Sequence, residues 1–181
     1  YEVDAYSTLG LLPDPITSSL LNRDLVSLAD TVIHESLHNT IYRAGNSDFN
    51  ESLATFVGRT GAIRFLQQEF GPDAEIITDA REGYEDADRL NAFLQSLVEE
   101  LSDVYDSDLS KDEKIARRQE VFNAARARFS AEVLPLMYNQ QGYAGYATFA
   151  YNNAFLLLNT RYNSGLDLFQ QVYDAAGGDW A

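Results

Sequence analysis

The only two histidines of this chain, His34 and His38, stand four residues apart within a helical periodicity, with Glu35 directly after the first. Leu25, Leu28, Val32, Leu37 and Ile41 recur at spacings of three to five. That pattern predicts a helix from about residue 25 with one apolar face, and Gly45 is its stop signal. Residues four apart project from the same side of a helix. Two imidazoles stacked in this way suit one tetrahedral Zn2+ ion. Glu35, one residue further round, is placed to reach a water beside the ion rather than the ion itself, which is the position of a general base.

A catalytic zinc takes three protein ligands and keeps one position open. The chain has no third histidine and no cysteine, so the third ligand is expected to be a carboxylate. Asp48 and Glu51 are the nearest downstream candidates. Both fall at the start of the next predicted helix, which begins near Ser47 or Asp48 and ends at Gly71-Pro72. A short turn between the helices brings Glu51 back onto the metal. Asp48, at the helix edge, is expected to cap, and the plain alternative for Glu51 is a capping-box partner of Asp48. Gly58 and Gly61 inside this helix either allow close packing or mark a break.

The rest of the chain reads as scaffold. Tyr1 to Leu9, followed by Gly10 and Pro13-Asp14-Pro15, predicts a short extended or β element and a turn. Asp73 to about Asp106 reads as one long helix or two joined ones. Ser110-Lys111-Asp112-Glu113 has the form of a capping box that opens a further helix to about Leu134, ahead of Pro135. Together these predict a long antiparallel helical hairpin. Gln140 to Tyr146 reads as a loop, followed by helices at about Thr148–Tyr162 and Leu166–Ala176. The expected architecture is a single, mainly α domain over residues 1–181.

Charge narrows the partners. The net charge is −15, and the 13 basic residues are 11 Arg and 2 Lys. A nucleic-acid surface needs clustered cations, so nucleic acid is not expected, nor is docking on anionic lipid. No apolar stretch is long enough to span a bilayer, so no transmembrane segment is expected. The oligomeric state is left open by the sequence. The chain begins at Tyr1 rather than Met, as expected of a trimmed or processed fragment.

HESLH followed by FNESLATFVG resembles the HExxH…NExxA pattern of the gluzincins. More closely, the chain resembles a bacterial family of predicted aminopeptidases. Tyr6-Ser7-Thr8-Leu9-Gly10 with Asp14-Pro15, the stretch from Ile33 to Gly58, and Asn152-Asn153-Ala154 with Gly177-Gly178-Asp179-Trp180 carry the resemblance. It implies a gluzincin-like zinc peptidase with His34, His38 and Glu51 as ligands and Glu35 as base. It also implies a bacterial envelope location, often through a lipoprotein signal, and further sequence ahead of Tyr1. One departure is Thr55, which stands where related enzymes often carry an Asp that supports a zinc-bound histidine.

Such an enzyme needs a second donor for the oxyanion. With no histidine left, the candidates are the tyrosines of the late loop and helix, Tyr143, Tyr146 and Tyr151, each of which packing alone also explains. Asn152 and Asn153 are candidates for holding substrate backbone, with helix capping as the alternative for one of them. The expected activity is hydrolysis of a peptide substrate. Aminopeptidase action follows from the resemblance, while an endopeptidase or a non-catalytic zinc-holding domain remains open from the residues alone.

Overall fold

The computed structural model describes residues 17–163 and 165–178. Eight α-helices are formed there: α1 (Ser18–Leu21), α2 (Leu25–His38), α3 (Ser47–Phe70), α4 (Glu75–Asp106), α5 (Lys111–Arg128), α6 (Gln140–Tyr143), α7 (Asn153–Tyr162) and α8 (Leu166–Ala175). Among the described residues there is no strand, and the mainly α expectation holds. The extended element expected at Tyr1 to Leu9 lies outside the described residues. No described helix is long and apolar enough to cross a membrane.

The chain divides into two compact units, one of residues 1–81 with 161–181 and one of residues 82–160. In the first, α3 is the central element. Its starting turn is preceded by Asn46 as N-cap, and it ends on Gly71, whose φ of 88° lies in the left-handed region. Only glycine enters that region without strain, so the helix stops there as its sequence predicts. Ser52, Ala54, Phe56, Gly58, Ala62 and Leu66 of α3 are all buried. One side of α3 receives α2. Another receives α8, where the Phe169 ring lies 5.8 Å from Phe49 and 6.0 Å from Phe56. A small apolar cluster of Leu66, Ile77 and Ala80, with Val26 and Ile63 against it, joins α2, α3 and the first turns of α4.

Helix α2 ends earlier than its periodicity suggests. Asn39 closes it directly after His38, so Ile41 lies beyond the helix and is 47% exposed. Val32, on the expected apolar face, is also exposed. The side turned to α3 carries Asp30, Ile33 and His34 instead. Apolar spacing misassigned this face because the side packed on α3 mixes the polar Asp30 and His34 with Ile33.

The second unit is built on the expected helical hairpin. The capping box at Ser110 and Glu113 is present in both directions and starts α5. Lys114 Nζ donates to the Tyr105 carbonyl at 2.6 Å, and Arg128 donates to Glu100 at 2.5 Å and to Ser96 Oγ at 3.2 Å. These contacts join the end of α4 to the start of α5 and its middle to the α5 terminus, so the two run antiparallel. Pro135 has no N–H and its ring opposes the carbonyl four residues back. Ahead of it the helix widens to a π turn over Phe129–Val133, then tightens to a 3-10 turn over Leu134–Leu136. The core here holds Phe93, Leu94, Leu97, Phe122, Phe129 and Leu156. Each is worth about 1.5–3 kcal/mol of transfer free energy, enough to carry this unit on apolar burial.

Asp86 is the polar anchor of that core, fully buried. Its carboxylate accepts from Tyr138 N at 2.9 Å, Asn139 N at 2.8 Å and Arg89 at 3.0 Å, which ties α4 to the turn before α6. Replacing Asp86 by Ala strands those donors. We predict a loss of about 3–5 kcal/mol, read from urea unfolding, with Asp86→Asn losing less.

Candidate metal centre

The centre begins with how closely α2 and α3 approach. A Cβ built on Gly58 would collide with Asp30 Oδ1 and stand 3.3 Å from His34 Cβ, and one on Gly61 would stand 3.0 Å from Ile33 Cδ1. Neither glycine breaks α3. Their missing side chains let the two helices meet nearly backbone to backbone. The helices run antiparallel, so Glu51, Thr55 and Arg59, spaced by four on α3, oppose His38, His34 and Asp30, spaced by four on α2.

The turn between the helices is fixed by Asn50. Its buried side chain accepts from Arg43 N at 2.8 Å and donates to Arg43 O at 2.8 Å. It thereby clamps the loop onto the first turn of α3, one residue before Glu51. Asp48 does not turn inward. It is exposed, and its carboxylate stands 3.6 Å from Arg161 Nε. The N-cap is Asn46, so the capping-box alternative for Glu51 does not apply.

Glu51 points at both histidines. Its Oε2 lies 3.3 Å from His34 Nε2 and 3.6 Å from His38 Nε2. The two rings meet edge to face, centroids 5.1 Å apart. These three residues form a group able to hold a metal ion, with ligand atoms all within 4.8 Å of one another. Ligands at zinc–nitrogen distances of 2.0–2.1 Å in a tetrahedral shell stand roughly 3.3 Å apart. Both Glu51–histidine separations are close to that edge, and both histidines present the same ring nitrogen to Glu51, so the residues could hold a metal ion.

Electrostatics favour the same state. Burial, and then the neighbouring His38, push the His34 pKa below the ordinary 6.5 although Glu51 pulls it up. The neutral imidazole, the form that binds a metal, is therefore the favoured one. His38 Nδ1 is buried with no hydrogen-bond partner among the described residues, and Thr55 lines the cleft.

Beside the triad is a cleft of about 290 Å³. Helix α2 contributes Asp30, Thr31, His34 and Glu35 to it, α3 contributes Thr55 and Arg59, and Tyr162 completes it from the end of α7. The Tyr162 ring lies 6.2 Å from the His34 ring at 30°. Its pKa is raised by burial first and then by the charges of Glu51 and Glu35, which keeps the hydroxyl a donor facing two carboxylates. Sequence reasoning missed Tyr162, since nothing in a chain of 11 tyrosines marks it. It also missed Asn50, whose adjacency to Glu51 was the available signal.

The tyrosines and asparagines singled out from the sequence belong to the second unit. Tyr151 is buried, its hydroxyl donates to the Tyr146 carbonyl at 2.8 Å, and burial pushes its pKa up to about 12. Tyr146 packs against Phe129, Phe149 and Tyr143. Asn152 accepts from Phe155 N at 3.0 Å and so starts α7, five residues later than its apolar pattern suggests. Asn153 pairs with the Tyr105 hydroxyl.

A family model described as "Putative aminopeptidase" matches residues 1–181. The chain belongs to that family. A peptide substrate follows from the membership. No curated protein and no solved structure gives a match.

If the three residues share one ion, each of His34→Ala, His38→Ala and Glu51→Ala lowers bound zinc to background by elemental analysis. The wild-type protein gains thermal stability on adding zinc, about 2.7 kcal/mol at a hundredfold excess over Kd, and each variant loses that gain.

Proposed function

We propose that this chain is a zinc-dependent peptidase acting as an aminopeptidase, with His34, His38 and Glu51 holding the ion. The observation that carries the reading is the convergence of two imidazole nitrogens on one carboxylate oxygen at 3.3 and 3.6 Å, beside a cleft that Glu35 also lines. A zinc ion held there supplies Lewis acidity, lowering the pKa of a water and polarising a peptide carbonyl.

The remaining steps fall to the chain. Glu35, one residue after a ligand and on the cleft side, takes the proton of the attacking water and passes it to the departing amine. Tyr162 donates a hydrogen bond to the oxygen that gains negative charge, the role the sequence assigned to other tyrosines. Its support is its position against His34 and the pull of Glu35 and Glu51 on its hydroxyl proton. Glu35 also separates this reading from a zinc domain without turnover, since a structural site uses no base.

Glu35→Gln is expected to keep its zinc and lose about 10²–10⁴-fold in kcat/KM on peptide substrates. Equal activity in the variant sinks the assignment. Tyr162→Phe is expected to lower kcat by about 10²-fold or more with KM little changed. An effect confined to KM assigns the tyrosine to ground-state binding instead.

A further inference from the structure

A peptide carbonyl brought to His34, His38 and Glu51 has the Cα of the next residue roughly 2.4 Å from its carbon, across two covalent bonds. The side chain of that residue therefore falls beside the histidines, and what flanks them decides which side chains are accepted. A tyrosine ring stands against each histidine. Tyr162 lies beside His34 on the cleft side, and Tyr42 lies beside His38, ring centroids 6.3 Å apart at 80°. Tyr162, His34, His38 and Tyr42 thus form a row of rings with the donor set at its middle.

The backbone around Tyr42 is held on both sides. Helix α2 closes at Asn39, and the Ile41 N–H returns to the Leu37 carbonyl at 2.8 Å. Arg43, next along the chain, has both its backbone groups bonded to the Asn50 side chain at 2.8 Å. The clamp that positions Glu51 therefore also positions the Tyr42 ring. About half of Tyr42 is nonetheless exposed, as is Ile41 before it. The Tyr42 hydroxyl has no hydrogen-bond partner among the described residues, so no polar contact accounts for the ring being there. An aromatic ring held in place yet open to solvent offers a surface to another apolar group.

We infer that Tyr42 is a specificity residue whose ring receives the side chain following the scissile bond and selects an aromatic or large aliphatic one there. The inference rests on the peptidase reading above and adds the class of substrate. Exposure sets the side. In an aminopeptidase substrate the chain continues only beyond the scissile bond, so that part needs open surface. Residues 39–49 are all exposed, whereas the cleft at the Tyr162 end is walled by α2 and α3. The competing role for Tyr42 is a cover over His38, which is buried.

The test uses the zinc-loaded protein, Tyr42→Ala and Tyr42→Phe, with zinc content and thermal midpoint recorded for each. Hydrolysis is compared for Leu-Phe-Gly, Leu-Leu-Gly and Leu-Ala-Gly, which vary the residue after the scissile bond, and for Phe-Ala-Gly and Ala-Ala-Gly, which vary the one before it. Calorimetry measures binding of the same peptides to Glu35→Gln with and without each Tyr42 substitution. The kcat/KM ratio of Leu-Phe-Gly to Leu-Ala-Gly is expected to be about tenfold in the wild type, the worth of one aromatic contact. It is expected to vanish in Tyr42→Ala and persist in Tyr42→Phe, while the ratio of Phe-Ala-Gly to Ala-Ala-Gly stays unchanged. An equal fall for all five peptides, with or without loss of zinc, makes the ring a cover for His38 and overturns the inference. A change confined to the Phe-Ala-Gly to Ala-Ala-Gly ratio also overturns it, as does no change. If the wild type hydrolyses no peptide, the peptidase reading fails, while the binding comparison still decides whether Tyr42 reads a side chain.

Discussion

Everything in the first unit depends on the contact between α2 and α3 at Gly58 and Gly61. Glycine inside a helix costs about 0.5–1 kcal/mol against alanine, and α3 carries two within four residues. What offsets the cost is proximity. With no Cβ in the way, a helix bearing two histidines lies close enough to its neighbour for Glu51 to touch both rings. The buried alanines Ala54 and Ala62 extend the same small-residue surface. A wider separation leaves Glu51 short of the imidazoles, and the donor set comes apart.

Close packing also explains the buried polar groups of this unit. His38, Asn50 and Ser52 are each less than a tenth exposed, and burying such groups costs unless they are satisfied. Asn50 spends its amide on the Arg43 backbone, and Ser52 donates to the Arg161 carbonyl at 3.1 Å. His38 Nδ1 has no hydrogen-bond partner among the described residues. The second unit works differently. Its interior is aromatic and aliphatic, with Asp86 as a buried, fully satisfied charge, and Tyr146 and Tyr151 pack within it.

Local signals were legible where the cause is local. The start of α5 follows from Ser110 and Glu113, and the end of α3 from Gly71, because capping and left-handed backbone involve residues within one turn. The pairing of His34 with His38 follows from helical pitch alone. That a carboxylate partners the histidines was reachable by elimination, since the chain has no further histidine or cysteine. The apolar face of α2 was misread because the residues it buries are polar. The start of α7 was misplaced because Tyr146, Phe149 and Tyr151 give an apolar pattern while serving an aromatic cluster in irregular backbone.

The sequence by itself determined the helical class, most helix ends, and the placing of His34, Glu35 and His38 along one helix, because each follows from spacing along one element or from the chemistry of a residue type. Only the tertiary structure decided which carboxylate meets the histidines, that Asp48 stays at the surface, and that Tyr162, Asp30 and Arg59 share the cleft. These are contacts between elements up to 132 positions apart, as with Asp30 and Tyr162. Their occurrence is set by helix separation and loop path, quantities that no local pattern of residues encodes.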